Sequence, residues 1–216
     1  MPRKTLKTER VAGKVHPMKA KIAVLASGDG SNFESIVQAA HLGHLPAEIV
    51  GLVVSRDGVE AVRRAGRLKI PVVVLNPKNF ADRGAWDVAL RDQLVAWNAD
   101  WVALAGFLAL IGPAVLKKFS HRLINSHPAL LPKFGGPGMY GHNVHQAVIA
   151  AGEVETGVTF HLVDEVYDHG RVLVQEKIPV LANDTAESLA TRLKARENEL
   201  YPRVLADLVT GRITTG

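Results

Sequence analysis

Cysteine is absent from the 216 residues of this chain. Its absence excludes disulfides, a thiolate nucleophile and cysteine-ligated zinc, and it makes a cytoplasmic location the simplest expectation. No apolar run reaches the roughly 20 residues that a membrane span needs. The first 20 residues are basic but lack an apolar core, so they do not read as a secretory signal.

An excess of charge is also missing from the body of the chain. The net charge is +5, yet residues 1–20 carry Arg3, Lys4, Lys7, Arg10, Lys14 and Lys19 against Glu9 alone. Of 26 basic and 21 acidic side chains, residues 21–216 therefore keep 20 of each. A nucleic-acid-binding domain carries its positive excess on a folded face. Here the excess lies in a segment expected to be a basic disordered tail, ahead of one domain over 21–216. The expected partners are small molecules, with no nucleic acid and no membrane. A content of 47% hydrophobic and 22% charged residues suits a globular chain with a sizeable core.

Apolar runs punctuated by glycine and proline predict strands at 21–26, 48–54, 72–75, 101–104 and 121–125. Helices are predicted between them at 31–43, 59–68, 81–97 and 113–118, the first with Ser31 and Glu34 at capping-box spacing. Strands alternating with helices predict an α/β doubly wound, mostly parallel sheet. The pattern changes after residue 125. A glycine-rich loop at 134–143 leads to a helix at 144–151, and strands at 157–163 and 171–180 form an antiparallel hairpin. A long C-terminal helix at 188–208 contains Pro202, which is expected to bend or split it.

Ser27-Gly28-Asp29-Gly30-Ser31-Asn32 falls between the first strand and the first helix. Glycines permit close backbone approach, and free N–H groups at a helix start favour an anion. Phe33 breaks the G-x-G-x-x-G fingerprint, and no Gly-Lys-Ser/Thr is present. The segment is either an ordinary turn or, as its place at the sheet edge favours, a site for a single phosphate.

Asn125-Ser126-His127-Pro128 closes the fifth apolar run. Alternation along a strand puts Asn125 and His127 on one side and Ser126 on the other. A carboxamide can donate to a developing oxyanion while an imidazole stabilises charge or moves a proton. By itself the tetrapeptide reads first as a structural His-Pro turn. Asp168 is either a hairpin-turn aspartate or a carboxylate that raises the pKa of His127 and orders a water. His161, alone among apolar neighbours, reads as a packed structural residue. His142 and His145 have no acidic cluster nearby, so no metal site is expected. Ala105 to Ile111 is either core or a surface for a flat aromatic ligand.

Together, in this order, these segments resemble the folate-dependent glycinamide ribonucleotide formyltransferases of purine biosynthesis. The resemblance runs from about Lys21 to Arg212. It implies a Rossmann-like fold and formyl transfer from 10-formyltetrahydrofolate, a formyl-donor co-substrate, to the amine of N1-(5-phosphoribosyl)glycinamide, with no metal. It also implies Asn125, His127 and Asp168 as the catalytic set, and Gly30, Ser31 and Asn32 around the phosphate. Lys194, Ala195, Arg196 and Glu197 would hold the ribose and glycinamide side. Arg83, Leu108, Ala109, Leu110 and Ile111 would contact the folate, with Asn125 and the loop Asp164, Glu165, Val166, Tyr167 and Asp168 around its pterin. The family often has Arg where Ala109 stands, and the 135–143 loop is longer than in its shortest members; both bear on folate affinity and loop closure. A monomer or a homodimer fits equally. Formylfolate hydrolysis by the same set is the alternative activity, and a non-catalytic nucleotide-binding regulator is the alternative outside enzymes.

Overall fold

The computed structural model describes residues 19–216, so the expected tail at 1–20 lies outside the described residues except for its last two positions. Ala20 is already paired in the sheet, one residue before the expected start. Strand β1 (Ala20–Ala26) is followed by α1 (Ser31–His41), β2 (Ala47–Val54), α2 (Glu60–Leu68) and β3 (Val72–Val74). Next come α3 (Arg83–Ala96), β4 (Trp101–Leu104), α4 (Pro113–Lys118), β5 (Leu123–His127) and α5 (His142–Ala150). The hairpin β6 (Glu155–Leu162) and β7 (Val172–Pro179) precedes the long helix α6 (Ala186–Val209).

The seven strands form one sheet in the order β3-β2-β1-β4-β5-β6-β7. Strands β1 to β5 pair parallel, and β6 and β7 pair antiparallel. The doubly wound Rossmann-like expectation is therefore met, hairpin included. Both faces of β1 are covered, which is why it reads as continuous apolar sequence. Ile22, Val24 and Ala26 pack toward α1, α2 and α6, whereas Ala23 and Leu25 meet Trp86, Leu90 and Leu94 of α3 and Val115 of α4. Burying one such large side chain contributes roughly 1.5–3 kcal/mol. Strand order reverses between β1 and β4, so the connections after these two strands diverge and leave a crevice at their carboxyl ends.

Three local expectations are corrected. Ser31 and Glu34 make no capping box: Gly30 holds the cap position in the left-handed region without a side-chain bond, and Glu34 pairs instead with Arg64 of α2. Strand β5 extends to His127 rather than ending at Asn125, because antiparallel pairing with β6 continues it through His127↔Thr159. Helix α6 is not split at Pro202, whose ring is buried beside Tyr201, Val204 and Leu205 in the core face of the helix. That burial offsets the backbone hydrogen bond a mid-helix proline removes.

Candidate active site

A cavity of about 510 Å³ occupies the crevice. One end is the β1–α1 connection. Gly30 there has φ of +75°, and a Cβ on it would lie 2.7 Å from that of Ala61, so the loop can press against α2 only as glycine. The Nε of Arg64 donates to the Asp29 carbonyl at 2.8 Å, fixing the loop from behind. Ser31 N–H donates to Asp29 Oδ1 at 3.1 Å, and Lys194 of α6 donates to Asp29 Oδ2. Asn32 is buried, and its side-chain oxygen has no protein partner.

The middle of the cavity is walled by the segment after β4. Ser27 joins this wall to the β1–α1 loop, since Leu108 N–H donates to Ser27 Oγ at 3.0 Å. Asp87 of α3 grips the far end, accepting from the N–H groups of Gly112 at 3.1 Å and Ala114 at 2.7 Å. Leu108, Ala109, Leu110 and Ile111 all line the cavity. Arg83 does not: its guanidinium donates to the Leu110 carbonyl at 2.5 Å and stacks over Trp86 at 4.8 Å, supporting the segment from outside.

The other end holds the polar groups of β5 and β6. Asn125 and His127 share a side, as strand alternation requires, and both approach Asp168. Asn125 Nδ2 lies 3.4 Å from Asp168 Oδ1, and His127 Nδ1 lies 3.5 Å from Asp168 Oδ2. Ser126 points the other way and donates to Glu197 of α6. The turn after β5 completes the arrangement through its backbone. The Phe134 carbonyl lies 2.7 Å from His127 Nε2, and Gly136 N–H donates to Asp168 Oδ2 at 3.0 Å. A Cβ at Gly135 would lie 2.6 Å from the Leu131 side chain and 3.2 Å from that of Asp168.

His161 belongs to this cluster, against the expectation that it is only packing. It sits opposite Asn125 in the β5–β6 register. Its Nδ1 lies 2.8 Å from the Leu162 carbonyl, and Nε2 lies 3.0 Å from Asn125 Nδ2 and 3.6 Å from Asp168 Oδ1. Donation from Nδ1 to the carbonyl leaves Nε2 as the acceptor for the amide of Asn125.

Asp168 acts on His127 in the expected direction, raising its pKa, but burial acts against it. Burial lowers the pKa of His127 below its ordinary 6.5, and this outweighs the opposing effects of Asp168 and of the Phe134 carbonyl. Burial thus sets the net direction at His127, and the charge of Asp168 opposes it. Burial pushes the Asp168 carboxyl up, but the neighbouring His161 ring, the field of His127 and the Gly136 N–H bring it below the ordinary 3.8. Burial raises the Glu197 carboxyl, only partly opposed by hydrogen bonds from Ser126 and Asn32 and by the charge of Lys194.

Gly30, Ser31, Asn32, Asn125, His127, Asp168, Lys194 and Glu197 all face the one cavity, as do Asp164, Val166 and Tyr167. Glu165, Ala195 and Arg196 do not line it. Arg196 pairs with Glu176 and Glu199 on the outer face of α6. The cavity also includes Asp29 and His145, which sequence reasoning did not select. His142 pairs with Glu187 at 3.4 Å. Among the described residues no helix is long and apolar enough to cross a membrane.

A family model described as formyl transferase matches residues 20–205. The chain is 42% identical over 203 residues to phosphoribosylglycinamide formyltransferase, chloroplastic, of Vigna unguiculata, covering 94% of this chain and 65% of that protein. It therefore spans slightly less than two thirds of that plant relative. It is 35% identical over 193 residues to phosphoribosylglycinamide formyltransferase of Haemophilus influenzae, covering 89% of each. Among solved structures, glycinamide ribonucleotide transformylase 1 from Symbiobacterium toebii superposes with a TM-score of 0.86 at 31% identity, over 92% of this chain and 91% of that one. The corresponding protein from Geobacillus kaustophilus gives 0.82 at 40% identity, over 88% and 99%.

Proposed function

The chain belongs to the formyl transferase family, and on that footing we propose that it transfers a formyl group from 10-formyltetrahydrofolate to the amine of N1-(5-phosphoribosyl)glycinamide in de novo purine biosynthesis. The observation that carries this reading is one cavity with an anion-facing helix start at one end, an apolar wall in the middle and Asn125, His127 and Asp168 at the other end. A phosphorylated acceptor suits the first end and a flat folate suits the wall with the 164–168 loop. Both sides reach Asn125 and His127, since Ser126 between these two donates to Glu197 on the acceptor side and Asp168 belongs to the donor's loop. The phosphate lies against Gly30, Ser31 and Asn32. Lys194 and Glu197 hold the acceptor, and Leu108 to Ile111 with Asp164 to Asp168 hold the donor.

The reaction joins the acceptor amine to the formyl carbon and places negative charge on the formyl oxygen. When that charge collapses back to a carbonyl, the bond from the formyl carbon to the folate nitrogen breaks, and the nitrogen leaves as tetrahydrofolate with the proton that the amine gave up. Asn125 is the donor for that oxygen. Its bond to His161 at 3.0 Å anchors the amide, while the 3.4 Å contact with Asp168 is the weaker one and is free to be exchanged. Removing one such donor typically costs on the order of 10²–10³ in kcat. Neutral His127 takes up the amine's proton at Nδ1, because Nε2–H is committed to the Phe134 carbonyl. The imidazolium that forms is stabilised by Asp168, 3.5 Å from Nδ1. Alignment of the two substrates replaces a protein nucleophile, and closure over them excludes competing water.

A cytoplasmic location, a monomer or homodimer, and transfer without a metal belong to the same proposal. Formylfolate hydrolysis by the same set has no observation in its favour. The test is to mix the protein with the formylfolate and follow formyl loss spectroscopically. Loss that requires glycinamide ribonucleotide is expected; formate release at the same rate without the amine refutes transfer.

A further inference from the structure

The donors at the anion-facing end of the cavity are already taken in the free protein. Asp29 Oδ1 accepts from Ser31 N–H at 3.1 Å, within the first turn of α1, and Asp29 Oδ2 accepts from Lys194. Ser31 is one of the groups assigned above to the acceptor's phosphate, and Lys194 is one of those assigned to the rest of the acceptor. Both the Asp29 and the Lys194 side chains are 48% exposed, so both can rotate without unpacking the core. The backbone beneath them cannot follow. Arg64 holds the Asp29 carbonyl, and Gly30 is wedged against Ala61. Lys194 and Ser31 donate to the Asp29 carboxylate, which is ionised near pH 7.

We propose that the Asp29 carboxylate is an internal stand-in for phosphate, which the acceptor's phosphate must displace in order to bind. The inference rests on the reading of this loop as the phosphate site. Carboxylate and phosphate are both anions that accept from backbone N–H and ammonium groups, but phosphate carries about twice the charge and more acceptor oxygens. Phosphate therefore wins the exchange, and Lys194 passes from Asp29 to the ligand. Every phosphate-bearing ligand gives up part of its binding to displace Asp29 and then lies beside a released like charge. Inorganic phosphate thereby binds the cavity less tightly, and the phosphorylated product leaves more readily.

The experiment measures the Kd of inorganic phosphate by calorimetry and its competition with the acceptor, using the full-length chain and its Asp29→Asn and Asp29→Ala variants. Asn keeps an acceptor for Ser31 N–H and removes only the charge; Ala removes both. Phosphate is expected to bind about three- to tenfold more tightly to both variants, and the KM for the phosphorylated acceptor falls with it. In a Lys194→Met background the gain from Asp29→Asn is expected to shrink. Thermal unfolding of each variant verifies that the fold is kept. If phosphate competes with the acceptor but binds both variants no more tightly than the parent, the stand-in is overturned and the phosphate loop stands. If phosphate competes with the acceptor in none of the proteins, the loop assignment itself falls.

Discussion

The two ends of the cavity recognise their ligands by opposite physical means. At the β1–α1 end the charged groups are half-exposed: Asp29 and Lys194 pair directly at the surface, where a single ion pair contributes little. At the β5–β6 end His127 is 3% exposed and His161 2%, and the carboxylate between them is almost as deeply covered. Water screens the contacts there far less, and the side chains are held by one another and by backbone groups of the turn. The contrast separates binding from chemistry. A mobile ionic site can exchange its partners quickly, whereas a dry, interlocked site holds donors in place for charge that appears only during the reaction.

Substitutions can test this division, and the largest effect is expected at the dry end. His127→Ala lowers kcat by on the order of 10²–10⁴, while calorimetry shows acceptor affinity nearly unchanged. Equal loss of both would break the division. Lys194→Ala is expected to do the reverse, raising the acceptor's KM by roughly 10–100-fold, as loss of a charged hydrogen-bonding partner does, with little change in kcat. His161→Leu sharpens the picture. It frees the Asn125 amide, so kcat falls about tenfold, the equivalent of one lost hydrogen bond, and both KM values stay near those of the parent. The smallest effect is expected at Arg196, which points away from the cavity. Arg196→Ala leaves both kinetic constants unchanged and shifts stability by at most about 0.5 kcal/mol, measured by urea unfolding.

The same contrast explains what the sequence revealed. The doubly wound half was legible because each strand from β1 to β4 is an apolar run closed by a turn signal. Asn125 and His127 were legible because their relation is local and follows from strand alternation. The surroundings of His127 were not, because two of the groups that set them are backbone: the Phe134 carbonyl, which meets His127 itself, and the Gly136 N–H, which holds its neighbour Asp168. His161 carries no local signal at all. Its role arises from a pairing register across 36 residues of chain, Asn125 opposite His161. Ala195 and Arg196 were assigned by their place between Lys194 and Glu197. On a helix, residues three apart share a face and the two between them do not. Asp168 was placed in the catalytic set by resemblance, and its left-handed φ of 54° belongs to a hairpin turn that sequence could not orient.

The central claim is that His127 enters the reaction as a neutral base, and the pH dependence of kcat/KM tests it most directly, since that ratio reports the free enzyme's groups. Burial holds the folded-state pKa of His127 below 6.5, so the active neutral form is full above that value and is lost as pH falls through the folded pKa. The unfolded chain takes up that proton first, so stability declines over the same acid window. The expected profile is a plateau through neutral pH with its acid limb centred below 6.5. Asp168→Asn, by removing the charge that raises the His127 pKa, moves the limb of the residual activity further to acid. A parent profile that climbs as pH falls below 6.5, or whose acid limb is centred above it, would contradict the account.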